Sequence, residues 1–172
     1  YVDMDFFEID TQTPNHNLKP LGKKIEAEHY DNQKYELYPN MEPQYQNNPL
    51  TTWTSDVHQT ALLTKWGSAY DLAVSNLHDG DWVEYNRIDL GSGAKRVTVR
   101  ASSTCDTGRL EFHADTPDGI LVASIALTNT GYEECFQDFC AETASSFTGI
   151  QKLVLVYHGP KKTCRINWFL FQ

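Results

Sequence analysis

Apolar and polar residues alternate along much of this chain with the two-residue period of strands, and the 3.6-residue period of helices is almost absent. Lys24 to Tyr30 sets Ile25, Ala27 and His29 against Glu26, Glu28 and Tyr30, and Asp81 to Tyr85 sets Asp81, Val83 and Tyr85 against Trp82 and Glu84. Val97, Val99 and Ala101 alternate with Arg96, Thr98 and Arg100, while Leu110 and Phe112 oppose Glu111 and His113. Further strands are predicted over 120–127, 135–142, 152–158 and 165–172. The turns between them, Gly91-Ser92-Gly93, Thr107-Gly108, Pro117-Asp118-Gly119 and Asn129-Thr130-Gly131, carry the residues that reverse a chain most cheaply. Short strands at this spacing predict an all-β protein, a β-sandwich of about eight to ten strands in two antiparallel sheets.

Two stretches break the pattern. Tyr1 to Asp10 is aromatic and partly alternating, and the polar run after it, Thr11 to Pro20, holds Pro14 and Pro20. That shift in composition marks a linker. Residues 1–23 therefore read as an extension or linker from a preceding domain, with 24–172 as the sandwich. Phe6, Phe7 and Ile9 are expected to pack on the sandwich, because they would otherwise stand exposed. From Asp31 to Asp79 the chain is polar, with Pro39, Pro43 and Pro49 and scattered aromatics that include Trp53, Trp66 and Tyr70. It predicts a long irregular insertion, with a helical turn at Val57 to Trp66. Aromatics on such a loop either pin it to the sandwich or offer platforms to a ligand.

Composition narrows the picture. At 172 residues and 40% hydrophobic the chain can bury a core, and one domain with a short appendage is expected. The net charge is -9, and Lys and Arg are scattered apart from Lys23-Lys24 and Lys161-Lys162. No basic stripe tracks phosphates, so nucleic acid is not an expected partner. No apolar run reaches the roughly 18 residues that span a bilayer, and the acidic start lacks a secretion signal. The first residue is not Met, so the chain reads as cut from something longer. The four cysteines, Cys105, Cys135, Cys140 and Cys164, suit an oxidising compartment and predict at least one disulfide, with the pairing left open. Cys135, Cys140, His158 and Cys164 can be drawn as a zinc set, but their spacing does not favour one.

Candidate chemistry lies in two strands. Trp82 beside Glu84 puts a flat apolar platform next to a carboxylate on one strand face, which suits a sugar ring. Glu26 and Glu28 share one side of a strand and repel each other unless donors or a cation neutralise them. A calcium ion would do so through hard oxygen ligands, and a solvated edge strand is the alternative.

Five ordered landmarks carry a resemblance: Ile25-Glu26-Ala27-Glu28-His29-Tyr30, Asp79-Gly80-Asp81-Trp82-Val83-Glu84-Tyr85, Leu110-Glu111-Phe112, Thr130-Gly131-Tyr132 and Arg165-Ile166-Asn167-Trp168-Phe169. From about Lys24 to Gln172 the chain resembles family 6 carbohydrate-binding modules. The resemblance implies a β-jelly-roll from a secreted polysaccharide-degrading enzyme, a structural calcium, and two alternative sugar surfaces. It implies Glu26, Glu28 and Asn167 as calcium ligands, and Trp82 and Glu111 as a sheet-face site. At the loop site it implies Tyr132, with Asn76 where the family carries a second aromatic and Arg165 where it carries an amide; Trp66 or Tyr70 is the candidate replacement platform. Residues 1–10 faintly resemble the closing strand of the sandwich that ends some family 43 glycoside hydrolases. The expectation is a non-catalytic, monomeric, extracellular module that holds an attached enzyme on a plant, algal or fungal polysaccharide of β-glucan or xylan type. Two rivals stand beside it: a small glycosidase using a pair from Glu26, Glu28, Asp81, Glu84 and Glu111, and a structural sandwich that has lost sugar binding.

Overall fold

The structure, a computed structural model, describes residues 18–33, 58–62 and 71–172. These form eleven strands: β1 (Ile25–Glu26), β2 (Asn32–Gln33), β3 (His58–Leu62), β4 (Asp71–Ser75), β5 (Trp82–Asp89), β6 (Arg96–Ser103), β7 (Arg109–Ala114), β8 (Leu121–Ala126), β9 (Gln137–Glu142), β10 (Ile150–His158) and β11 (Cys164–Phe171). One sheet runs β3-β4-β11-β6-β9, with β1 also paired to β11, and the other runs β2-β5-β10-β7-β8. Every strand pair is antiparallel. The two sheets face each other over one core, as the alternating pattern predicts.

Alternation decides which side chains meet in that core. Val83 and Tyr85 of β5, Val97, Val99 and Ala101 of β6, Leu110 and Phe112 of β7, and Leu153, Leu155 and Tyr157 of β10 are all buried there. Four aromatic rings form its centre. Phe169 lies 4.8 Å from Tyr85 and 5.0 Å from Phe112, and Phe171 lies 5.2 Å from Phe112, mostly edge to face, the geometry ring quadrupoles favour.

Two bulges alter the period where it matters. On β5, Tyr85 pairs with Leu153 and Ile88 with Gln151, so Asn86 and Arg87 together oppose Lys152. Arg87 takes a φ of 58°, and the extra residue lets Tyr85 and Ile88, three apart, both face inward. On β11, Ile166 pairs with Ala101 and Trp168 with Arg100, which leaves Asn167 as the extra residue. Ile166 and Phe169 then share the core, and the Asn167 carbonyl accepts from the Ala27 amide at 2.8 Å.

Three expectations are corrected. Lys24 to Tyr30 pairs only at Ile25–Glu26, because the chain then turns, His29 N–H donating to the Glu26 carbonyl at 3.1 Å. The predicted helical turn at Val57 to Trp66 is instead strand β3 over His58–Leu62, and β2 and β4 also fall within the stretch read as irregular. His-Gln-Thr-Ala-Leu and Asp-Leu-Ala-Val-Ser have weak strand propensity alone; pairing within the sheet makes them strands. The predicted disulfide is absent, since all four cysteines are free thiols. Cys164 packs in the core, the Cys140 sulfur sits 3.4 Å from Thr98 Oγ1, and the Cys105 sulfur sits 3.2 Å from Thr163 Oγ1. The drawn zinc set also disperses, with His158 on the β10 sheet and Cys140 and Cys164 on the other.

Before β1, Leu18 to Lys23 runs along the sandwich. Lys19 bridges to Ile88, and Gly22 N–H donates to the Phe171 carbonyl at 2.9 Å. Tyr1 to Asp10, with its expected packing by Phe6, Phe7 and Ile9, lies outside the described residues, as do Trp53, Trp66 and Tyr70.

Candidate functional site

The strand registers assemble two surfaces from the candidates. On the outer face of the second sheet, Trp82 pairs with Val156, Val156 with Glu111, and Glu111 with Ser124. They form one row across four strands, with neighbouring strands about 4.8 Å apart. Trp82 and Glu111 thus stand about 10 Å apart with the buried Val156 between them. A parallel row holds Glu84, Val154 and His113, where Lys152 Nζ lies 3.4 Å from Glu84.

Glu111 is enclosed. Its Oε1 accepts from Arg109 Nε at 2.8 Å and from Ser124 Oγ at 3.4 Å, while Oε2 is hydrogen-bonded to His113 Nε2 at 3.2 Å and faces His158 Nε2 at 3.2 Å. Partial burial opposes its charge, yet the hydrogen bonds from Arg109 and His113 and the positive charges of Arg109 and His158 hold the carboxyl below the usual range. His158 in turn faces Asp79 at 3.5 Å, and Asp79 accepts from the Gly159 amide at 3.1 Å. Sequence reasoning paired Trp82 with Glu111 but missed these partners. The alternation in Arg109 to Ala114 already puts Arg109, Glu111 and His113 on one face; His158 joins them through cross-strand register, which a sequence does not display.

The second surface lies at one end of the sandwich. Asn76, two residues past the Val74–Ile166 pair, and Arg165, one before it, come to the same end, beside the loop that carries Tyr132. Asn76 adopts a φ of 59°, a left-handed conformation that asparagine tolerates better than most residues. The loop is held at its base: Thr130 N–H donates to the Ser103 carbonyl at 2.7 Å, and Ser103 N–H donates to Thr130 Oγ1 at 3.1 Å. Gly131, at a φ of 104°, makes the turn that a side chain would strain. Beyond it Ser102 Oγ donates to the Glu133 carbonyl, and Arg165 pairs with Glu133 and, at 3.8 Å, with Glu134. Tyr132 is left 65% exposed on a loop fixed at both ends. Arg165 thus joins the loop site as expected, but both of its terminal nitrogens face acidic partners, and Glu133 and Glu134 are the residues sequence reasoning missed.

The backbone brings the segment of Glu26 and Glu28 beside Asn167, and Glu26 lies 3.8 Å from Lys24 Nζ. Glu26 pairs with Trp168, and Ala27, between the two glutamates, is bonded to the bulged Asn167. The buried Tyr85 hydroxyl donates to the Ala27 carbonyl at 2.7 Å. Burial, with the charge of Glu28 next, raises the Tyr85 phenol well above its ordinary value. Two carboxylates, an amide oxygen and nearby carbonyls are the donor types of a hard cation. Among the described residues, no group of three or more His, Cys, Asp and Glu could hold a metal ion.

Comparison with known proteins gives a consistent result. The family model described as carbohydrate binding module (family 6) matches residues 51–172. Endo-1,4-beta-xylanase A of Thermoclostridium stercorarium is 31% identical over 100 residues, 58% of this chain but only 19% of that protein. The chain thus matches a small part of a much longer relative. Among solved structures, a family 6 module of Clostridium stercorarium in complex with cellobiose aligns at a TM-score of 0.69 and 22% identity, covering 90% of this chain and 96% of that one. A β-1,3-glucan-binding family 6 module from Bacillus halodurans aligns at 0.69 and 23%, covering 90% and 98%. At these identities the structural likeness speaks for the fold.

Proposed function

The chain belongs to family 6 of the carbohydrate-binding modules, and from that premise we propose that it holds an attached polysaccharide-degrading enzyme on a β-glucan or xylan, binding sugar at the loop end through Tyr132. One observation carries the choice of surface. Tyr132 is the most exposed aromatic among the described residues, on a turn where burial gives it no role, and its loop is latched on both sides. A preorganised aromatic stacks on the apolar face of a sugar without an ordering cost at the moment of binding. Arg165 fixes the loop through Glu133, and Asn76 offers amide donors and an acceptor beside it.

The sheet face is a second candidate surface, favoured by the in-register row of Trp82, Val156 and Glu111. Calcium is the cation that Glu26, Glu28 and Asn167 suit, and its part is structural: it would relieve the repulsion of the two glutamates and fasten β1 to β11. The extracellular setting, a monomeric state and a covalently attached catalytic domain complete the reading. The long relative bearing such a segment is an enzyme of xylan, and neighbours in fold bind cellobiose and β-1,3-glucan.

A glycan array probed with the chain, followed by titration of Tyr132→Ala against the best ligand, tests the reading. Binding that is lost in Tyr132→Ala supports it, and no binding to any β-glucan or xylan on the array overturns it.

A further inference from the structure

Among the described residues, four other than glycine take a left-handed backbone: Asn76 at a φ of 59°, Arg87 at 58°, Asp115 at 66° and Lys162 at 59°. Three of them have a local reason. Asparagine and aspartate tolerate this region better than other L-residues, and Arg87 makes the β5 bulge that turns both Tyr85 and Ile88 to the core. Lys162 is exposed on the loop between β10 and β11, outside any strand register and outside the core. A glycine would make the same turn without a steric cost, yet a lysine side chain stands here in spite of the strain. Strained backbone of this kind gathers at functional sites.

The place of Lys162 is fixed by its neighbours. Its N–H donates to the Leu77 carbonyl at 2.8 Å, which ties it beside Asn76; Thr104 N–H donates to the Thr163 carbonyl at 2.9 Å, and Thr130 N–H to the Ser103 carbonyl at 2.7 Å. These bonds cross the end of the first sheet in one line, from Asn76 through Lys162 to the turn that carries Tyr132. The loop is also held from beneath: the Pro160 carbonyl lies 2.9 Å from the hydroxyls of Tyr157 and Thr163, and Gly159 N–H donates to Asp79 at 3.1 Å. The two cations nearest this line differ. Arg165 is paired with Glu133 and faces Glu134, whereas Lys162 has no ion pair and no side-chain hydrogen bond among the described residues.

We propose that Lys162 is a further sugar-contacting residue of the loop end, its ammonium donating to hydroxyl oxygens of the ring that stacks on Tyr132. An ammonium carries three donors and no acceptor, so the oxygens of a sugar suit it as partners. Its flexible four-carbon stem reaches out from a backbone that is already held on both sides, so binding orders the side chain alone. Arg165, engaged with Glu133, leaves this donor role to Lys162. The role rests on the reading of the loop end as the sugar surface, and it adds a charged donor to the aromatic and the amide already placed there.

Isothermal titration of the parent, Lys162→Gly, Lys162→Arg and Tyr132→Ala with cellotetraose, xylotetraose and laminaritetraose tests it, with each variant also melted by scanning calorimetry. Lys162→Gly removes the donor and relieves the left-handed strain together. It should bind about tenfold more weakly, the loss of one hydrogen bond from a charged group, while melting no lower than the parent. Lys162→Arg keeps a cationic donor and should retain most of the affinity. A structural role alone would lower melting temperature and affinity together in Lys162→Gly, and that result would overturn the inference. Parent-like binding by Lys162→Gly, beside a Tyr132→Ala that has lost binding, would overturn it too and leave the loop surface standing. A Tyr132→Ala that binds like the parent, or a parent that binds none of the three sugars, would overturn it together with the reading on which it rests.

Discussion

Tyr85→Phe removes one oxygen and nothing else. The ring stays in the centre of the core, edge-on to Phe169 at 4.8 Å and 72°, so packing is preserved. What is lost is the 2.7 Å hydrogen bond to the Ala27 carbonyl, in a place where both residues are fully buried. A buried acceptor that loses its donor costs about 1–3 kcal/mol. In a domain of this size each kcal/mol moves the melting temperature by about 2–4 °C, so a drop of about 4–8 °C is expected for the middle of that range. Phe169→Ala is the natural comparison, because it deletes a ring that contacts three others and should cost about 3–5 kcal/mol. Differential scanning calorimetry of both variants beside the parent decides the matter. A Tyr85→Phe melting temperature within about 1 °C of the parent would show that the hydroxyl does not tie the Ala27 turn to the core, and the reasoning would fail.

Removing calcium with excess chelator should lower the melting temperature, because a cation bound only to the folded state stabilises it by mass action; an unchanged melt, with no metal after dialysis, would leave Glu26 and Glu28 as surface carboxylates. Native-state thiol titration should modify the exposed Cys140 and leave Cys164 untouched until denaturant is added, since Cys164 is buried and burial pushes its thiol up, out of reach of ionisation at neutral pH. Burial, opposed by the hydrogen bond with Thr163, raises the Tyr157 phenol from its ordinary 10.0 to about 12. The folded state therefore keeps a proton that the unfolded chain gives up, so stability present below pH 10 is lost as pH rises toward 12, and Tyr157→Phe should flatten that part of the stability profile.

Much of the fold was legible because burial follows alternation. Val97, Val99, Leu110 and Phe112 are inward in the structure for the same reason they read as inward in the sequence. The failures have physical causes. An arginine in a left-handed conformation at Arg87 and an asparagine bulge at Asn167 carry no sequence signal, since their neighbours in the opposite strand impose them. Strands β3 and β4 were hidden because their residues have no strong strand preference outside the sheet. The site was legible in part. Trp82 and Glu111 could be set on outward faces from their own strands, but the row that joins them, and the enclosure of Glu111 by His113 and His158, depend on cross-strand register. Tyr132 was visible as an aromatic on a turn, while the latch that fixes its loop joins residues about thirty positions apart.

The central claim, that this module takes its glycan at the loop end, is tested most directly by isothermal titration of Tyr132→Ala and Trp82→Ala against the oligosaccharide an array identifies. Losing a stacked aromatic removes about 1–3 kcal/mol, roughly a tenfold to hundredfold fall in affinity. At neutral pH Tyr132→Ala should show that fall with its melting temperature unchanged, and Trp82→Ala should bind close to the parent. A folded Tyr132→Ala that binds like the parent, beside a folded Trp82→Ala that does not, would contradict the account and make the sheet face the functional surface.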